Sequence, residues 1–449
     1  MIFPSQKIVD ESDLNNFDLQ VRQDSLKHLM ESANTLPQFH KQEAVNLHCH
    51  SFYSFNAYGY SPTGLAWLAK KNGYKAMGIV DFDVLDGVEE FLSACECLEI
   101  RGCAGLETRT FLPEFATREI NSPGEPGVNY YMGVGFSSNY VPPSVQPLLN
   151  KLRFQTTRRN REIIERINDY LAPVKIDYDR DVLPLTPAGN PTERHIVLAY
   201  ILAAKQEITN LSVFWAGKLD LKTDVVVEFN QESSKFQNLV RSKLMKKGGV
   251  GYILPALDAF PKIQEINKIT LACGAIPCVA WLDGISQGEQ DIEELLNLLI
   301  NQDAAAINII PERNWNIADT DSKKIKTQKL YEIVSLAHDL DLPIITGTEM
   351  NSFGQPLVDN FLSAELQPVH QKFLDGAYFL YGHTIMQRYL GLGYESDWAK
   401  SHFPARRQRN QFYQQIGFQI PPEKKTIGKL LSLKEGASPE QFLSLSAQD

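Results

Sequence analysis

Val45-Asn46-Leu47-His48-Cys49-His50 is an apolar run ending on two imidazoles, and Ala76-Met77-Gly78-Ile79-Val80-Asp81 is a second run ending on a carboxylate. The pattern recurs where Gly102-Cys103-Ala104-Gly105-Leu106 precedes Glu107 and where Pro343-Ile344-Ile345-Thr346-Gly347-Thr348 precedes Glu349. A short apolar run bounded by turn residues reads as a buried strand. Parallel strands bring their C-terminal ends to one edge, so these polar residues would converge there. Side chains alternate along a strand, which puts His48 and His50 on one face and turns Cys49 away into packing. Three carboxylates crowded together repel, and one or more must take up a proton unless a cation is present. A divalent metal removes that penalty; Arg109 and Arg194 would also do so. Local alternatives remain open: Asp83 caps the next helix while Asp81 points inward, and Glu107 pairs with Arg109.

Outward from these runs, strands are predicted at 44–49, 75–81, 102–107, 129–135, 275–281, 304–310 and 342–348. They alternate with helices around 62–71, 87–101, 291–301 and 324–339, a rhythm that predicts parallel pairing with helices outside. Seven strands are one short of a regular eight-stranded barrel. Residues 144–250 break the rhythm. Leu148 to Tyr170 is a basic amphipathic helix carrying Arg153, Arg158, Arg159, Arg161 and Arg166, and a second helix opens at Thr192-Glu193-Arg194-His195. This block reads as a helical insertion over the barrel mouth. Its arginines are either a solvated face or a lid that clamps an anion. The expected organisation is a helical segment over 1–43, a barrel over 44–356 that includes the insertion, and a helical extension over 357–449. The loop Phe52-Tyr53-Ser54-Phe55-Asn56-Ala57-Tyr58-Gly59-Tyr60 either packs beneath the lid or stacks on a sugar or base ring.

The 449 residues are 43% hydrophobic and 22% charged, as in an ordinary globular protein. A net charge of −10 without a basic tail argues against a nucleic-acid backbone as partner. Cys49, Cys95, Cys97, Cys103, Cys273 and Cys278 show no CxxC spacing, and a chain of this size predicts buried reduced thiols. No apolar run is long enough to span a membrane, and Met1 to Lys7 shows no signal-peptide pattern, so a cytoplasmic location is the default expectation.

The order His-x-His, strand-Asp, Gly-x-Glu, helical insertion and strand-Gly-Thr-Glu-x-Asn resembles the PHP (polymerase and histidinol phosphatase) family, in its phosphoesterase branch with a helical insertion. The resemblance covers roughly residues 45–356. It implies a distorted seven-stranded barrel holding two or three Zn, Mn or Fe ions, which activate water for attack on phosphorus. On that resemblance His48, His50, Asp81, Glu107 and Glu349 are metal ligands, with Glu349 standing where the family has Asp. Asp81, Arg194 and His195 are the catalytic candidates. Arg109, Arg158, Arg194, Asn56 and Asn351 are the candidates for holding a small anionic, phosphorylated substrate.

The chain departs from the family pattern at Asn56, Phe82, Tyr130 or Tyr131, Trp281 and Asn351, all where histidines are expected. Neither Phe nor Trp replaces an imidazole ligand. The expectation is therefore one divalent ion, Zn, Mn or Fe, in a mixed nitrogen–oxygen set. Such a site supports a phosphoesterase with a reduced centre. The alternatives are an inactive protein that binds an anionic metabolite, and a metal-assisted lyase or isomerase acting on a sugar acid.

Overall fold

The computed structural model describes residues 11–32, 42–229, 234–253, 260–433 and 436–447. Residues 1–10 and 33–41 of the expected N-terminal segment lie outside the described residues. One mixed sheet of seven strands runs in chain order: β1 (Val45–Cys49), β2 (Ala76–Phe82), β3 (Arg101–Phe111), β4 (Val128–Val134), β5 (Ile276–Trp281), β6 (Ala306–Ile309) and β7 (Ile344–Thr346). Helices follow β1, β2, β5 and β6, as the alternation predicts. The sheet nearly closes on itself. Just beyond β7, Glu349 N donates to His48 O and His50 N donates to Glu349 O, both at 2.7 Å.

The barrel is not all-parallel, which corrects the expectation from spacing. β4 runs antiparallel to both β3 and β5. A parallel return needs a crossover of a dozen or more residues, usually a helix. Between Phe111 and Val128 the chain forms only a short 3-10 turn at Pro113–Phe115 and the Pro/Gly-rich loop, so it folds straight back. One consequence is local. The start of β4 lies at the mouth, and its register sets Tyr130 opposite Arg109. β3 runs past Glu107, and one pleat period places Arg109 further along the same face.

Two hydrophobic cores result. The barrel core includes strand residues such as Leu47, Ile79 and Ile307, together with Phe373, Phe379 and Tyr413 from the C-terminal helices. Residues beyond 357 thus complete the barrel's packing. Gly376 lets the helix His370–Leu390 approach the Ile344 backbone so closely that any Cβ would overlap it. The insertion has its own core, centred on Ile167, Tyr200, Trp215 and Phe236. Asn190 ties it to the barrel, its Nδ2 donating to Phe82 O at 2.8 Å. The helix Leu19–Ser32 is anchored by Arg22, fully buried and paired with Glu90. The cysteines are all unpaired, and Cys97 is exposed rather than buried as expected.

Candidate metal centre

His48 and His50 leave β1 on one face, and Glu107 on β3 meets both. Its Oε2 lies 3.5 Å from His48 Nε2 and 3.3 Å from His50 Nε2, all three side chains being buried. Two ligands about 2.1 Å from one ion at a tetrahedral angle stand about 3.4 Å apart, so these separations fit one shared ion. Both Nε2 atoms are buried without a hydrogen-bond partner. Buried polar atoms rarely stay unpartnered.

The opposite ring nitrogens are fixed. His48 Nδ1 is 3.0 Å from Asn308 Oδ1, while Asn308 Nδ2 donates to Ile345 O at 3.1 Å. The amide oxygen is therefore the acceptor, and His48 Nδ1 carries the hydrogen. His50 Nδ1 is 3.2 Å from Ser54 Oγ, whose own proton goes to Asp81 Oδ1 at 2.6 Å. The hydroxyl can only accept from His50, so that Nδ1 carries a hydrogen too. In the neutral state each imidazole presents an Nε2 lone pair towards Glu107. Outer partners that set tautomer and orientation in this way are a hallmark of metal-bound histidines.

Electrostatics agree. Burial pushes the Glu107 carboxyl up, but the two imidazoles outweigh it and hold it down at about 2. Burial lowers His48, yet Glu107 and then Glu349 leave it raised overall. The pocket thus stabilises a positive charge between the histidines and Glu107, which a proton or a cation can supply.

The other expected carboxylates do not join this cluster; among the described residues it comprises His48, His50 and Glu107. Asp81 is occupied by Ser51 N at 2.8 Å, Ser51 Oγ at 2.6 Å and Ser54 Oγ at 2.6 Å. Burial raises its pKa against those hydrogen bonds. Glu349 is held by Arg313 Nη2 at 2.8 and 2.9 Å, and its backbone adopts the left-handed region at φ 62° while closing the barrel seam. The convergence expected of three carboxylates is avoided by giving each a separate partner. Asp83 does not cap the next helix: it accepts from Thr108 Oγ1 at 2.6 Å and Thr156 Oγ1 at 2.8 Å. Arg109 pairs with Glu125 at 3.0 Å rather than with Glu107.

Beyond the cluster lies a cavity of about 510 Å³ between barrel and insertion. Phe82, Tyr130 and Trp281 line it. Phe82 lies flat on His50, with centroids 4.6 Å apart and planes at 14°. Asn351 lines the cavity with its Nδ2 3.4 Å from Glu349 Oε2, and Arg109 and Arg194 line it as well. Phe55 lies under Arg194 at 5.6 Å, so part of the aromatic loop faces the cavity.

Three expected site residues lie elsewhere. Arg158 is exposed and outside the lining, whereas Arg159, a further 100° around the helix Gln146–Leu171, faces the cavity. His195 closes the capping box of the helix Glu193–Glu207: its Nδ1 accepts from Thr192 N at 3.0 Å, and burial pulls its pKa down to about 3. Asn56 braces its own loop, donating to His50 O at 2.8 Å and accepting from Tyr58 N at 2.9 Å. The residues missed from sequence are Asn308, Ser51, Ser54, Arg313, Arg241 and Lys246, whereas Arg159 is one of the arginines expected as an anion clamp. A polar residue inside the apolar run Ile307-Asn308-Ile309 was the available signal for Asn308.

No family model matches the chain, and no curated protein matches it. Among solved structures, an amidohydrolase from Chromobacterium violaceum with bound sulfate and no metal is similar at a TM-score of 0.47. The identity is 14%, covering 74% of this chain and 96% of that one. A protein from Bifidobacterium adolescentis described as a candidate metal-dependent phosphoesterase is similar at a TM-score of 0.44 and 17% identity. That alignment covers 75% of this chain and 97% of the other.

Proposed function

We propose that this chain is a metal-dependent hydrolase that cleaves a phosphoester of a small anionic metabolite. It would use one divalent ion, Zn, Mn or Fe, held by His48 Nε2, His50 Nε2 and Glu107 Oε2. The observation that carries this reading is the pair of buried, unpartnered Nε2 atoms within 3.5 Å of one carboxylate oxygen, each ring locked from behind. Two histidines and one glutamate are a donor set found in catalytic sites that keep a coordination position open. A divalent ion bound there lowers the pKa of water and polarises a phosphoryl oxygen.

The chain's own residues have distinct parts in this reading. Asn308 and the Ser54–Asp81 pair fix the two imidazoles. Arg313, shared with Glu349 at the cavity wall, offers guanidinium donors to an oxyanion. Phe82 and Trp281 present apolar walls that limit water. They also deprive a second ion of nitrogen ligands, which favours one ion over the family's two or three. Those same aromatics support the second reading, a protein that binds an anionic metabolite without turnover.

The test is hydrolysis of a chromogenic phosphomonoester together with elemental analysis. One metal per chain is expected, and activity should fall by orders of magnitude in the His48→Ala/His50→Ala variant. Full activity in that variant overturns the proposal, and binding without turnover in the metal-loaded protein selects the second reading.

A further inference from the structure

The helix Leu19–Ser32 precedes the barrel and lies outside the span of the family resemblance, yet one of its side chains reaches towards the metal centre. Arg22 is fully buried. Its Nε donates to Glu90 Oε1 at 2.8 Å, and its Nη2 donates to Glu90 Oε2 at 2.5 Å and to Tyr53 Oη at 3.3 Å. Nη1 donates to Asn16 O at 2.6 Å, and the guanidinium lies over the Phe52 ring at 5.0 Å. The Tyr53 hydroxyl in turn donates to Glu90 Oε2 at 3.2 Å, while Thr63 Oγ1 donates to Oε1 at 2.8 Å. A buried guanidinium is costly to desolvate unless its donors are used. Here they grip Phe52 and Tyr53, two residues of the aromatic loop that follows His50.

Those two residues sit between the serines that brace His50. Tyr53 N donates to Ser51 Oγ at 3.2 Å, and Ser54 N donates to Ser51 O at 3.2 Å. Ser51 and Ser54 are fully buried, and both donate to Asp81. Ser54 Oγ also accepts from His50 Nδ1 at 3.2 Å. The turn 51–54 is thus gripped from two sides, by Asp81 within the barrel and by Arg22 from outside it. Every link from Arg22 through Tyr53, Ser51 and Ser54 to His50 is a hydrogen bond no longer than 3.3 Å. His48 is braced separately, by Asn308 on β6 at 3.0 Å.

We propose that Arg22 is a positioning residue of the metal centre. Through Phe52 and Tyr53 it fixes the turn 51–54, and through Ser54 the ring of His50, which makes the N-terminal helix a working part of the site. The effect on metal binding rests on the metal-dependent reading above; the effect on the His50 ring does not.

Arg22→Met alone would strand the buried Glu90 carboxylate and endanger the fold, so both charges are removed together in Arg22→Met/Glu90→Gln. The amide of that variant still offers an acceptor to Thr63 and Tyr53. The first readout is proton NMR of the EDTA-treated full chain. Each buried, hydrogen-bonded Nδ1–H should give a resonance protected from exchange with water, assigned by its loss in His48→Ala or His50→Ala. In the double variant the His50 Nδ1–H should lose its protection while that of His48 keeps it, which shows at once that the barrel is intact. The second readout is zinc affinity by chelator competition, which should fall about tenfold, as for a lost outer partner. Adding Ser54→Ala should bring the loss no further than Ser54→Ala alone, because both act on one path. Adding Asn308→Ala, on the other histidine, should multiply the losses. Unchanged protection at His50, equal loss at His48 and His50, unchanged zinc affinity, or losses that multiply with Ser54→Ala would overturn the proposal. A parent chain that takes up no zinc would sink the metal reading instead, and the His50 resonance alone then decides whether Arg22 positions the ring.

Discussion

His50 and Ser54 are joined by a hydrogen bond of known direction: Nδ1–H of the imidazole donates to Oγ at 3.2 Å, because the hydroxyl proton is already committed to Asp81. A strand-end carboxylate that sequence assigns to the metal thus acts through a serine on the histidine beside it. Ser51 adds a backbone and a hydroxyl donor to the same carboxylate, so Asp81 is satisfied without a cation.

Ser54→Ala removes the acceptor and frees the His50 ring to rotate. Loss of such an outer partner typically costs about 10- to 100-fold in metal affinity, and that range is expected here. Competition titration with a chromophoric chelator measures it, at a melting temperature close to that of the parent. Unchanged affinity would mean that packing against Phe82 alone orients His50.

Metal itself should stabilise the fold, since the ligand cluster is assembled only when β1 and β3 pair through β2. At a free ion concentration of about 100 times Kd the gain is about 2.7 kcal/mol. The rise in melting temperature with Zn or Mn should vanish in Glu107→Gln, which keeps the shape but loses the charge. An undiminished rise in that variant would place the ion elsewhere.

How much of this was legible in the sequence depends on what each residue's position rests on. The site faces of β1 and β3 follow from alternation along short apolar runs, so His48, His50 and Glu107 could be placed together without coordinates. Asp81 and Glu349 end similar runs, but their partners are Ser51, Ser54 and Arg313, and strand spacing carries no information about which hydrogen bonds compete for a carboxylate. Arg158 and Arg159 differ only in helical phase, which is settled by the packing of Leu152, Asn160 and Ile163. The reversal of β4 was foreshadowed by the helix-free Pro/Gly loop before it; the strand-helix rhythm elsewhere concealed it.

The seam between β1 and β7 offers a steric test. A Cβ on Gly347 would overlap the His48 backbone nitrogen and come within 2.5 Å of both His48 Cβ and Asn46 Oδ1. Gly347→Ala must therefore push β1 away, at a cost of about 1–3 kcal/mol for overpacking in a rigid core. Because the displaced residue is His48, metal affinity should fall along with the denaturation midpoint. Stability lost with affinity unchanged would show that the strand yields without moving its imidazole.

Acid should weaken the fold through histidines remote from the metal centre. His383 is buried, its Nε2–H donating to Gly135 O and its Nδ1 accepting from Tyr394 N, both at 2.9 Å. A ring satisfied on both sides in its neutral form has no place for a second proton, and burial pulls its pKa down to about 4. His195, likewise accepting from a backbone N–H, lies at about 3. Unfolded, both return to about 6.5 and bind protons that the folded state refuses. The sign follows: this stability is fully present above pH 6.5 and is lost as pH falls towards 4. His383 alone contributes up to about 3 kcal/mol over that window, at 1.36 kcal/mol per pKa unit. His383→Gln keeps an N–H donor and an acceptor but cannot titrate. In urea unfolding at pH 7.5 and pH 4.5, it should therefore lose less stability on acidification than the parent. Equal losses would assign the acid sensitivity to other groups.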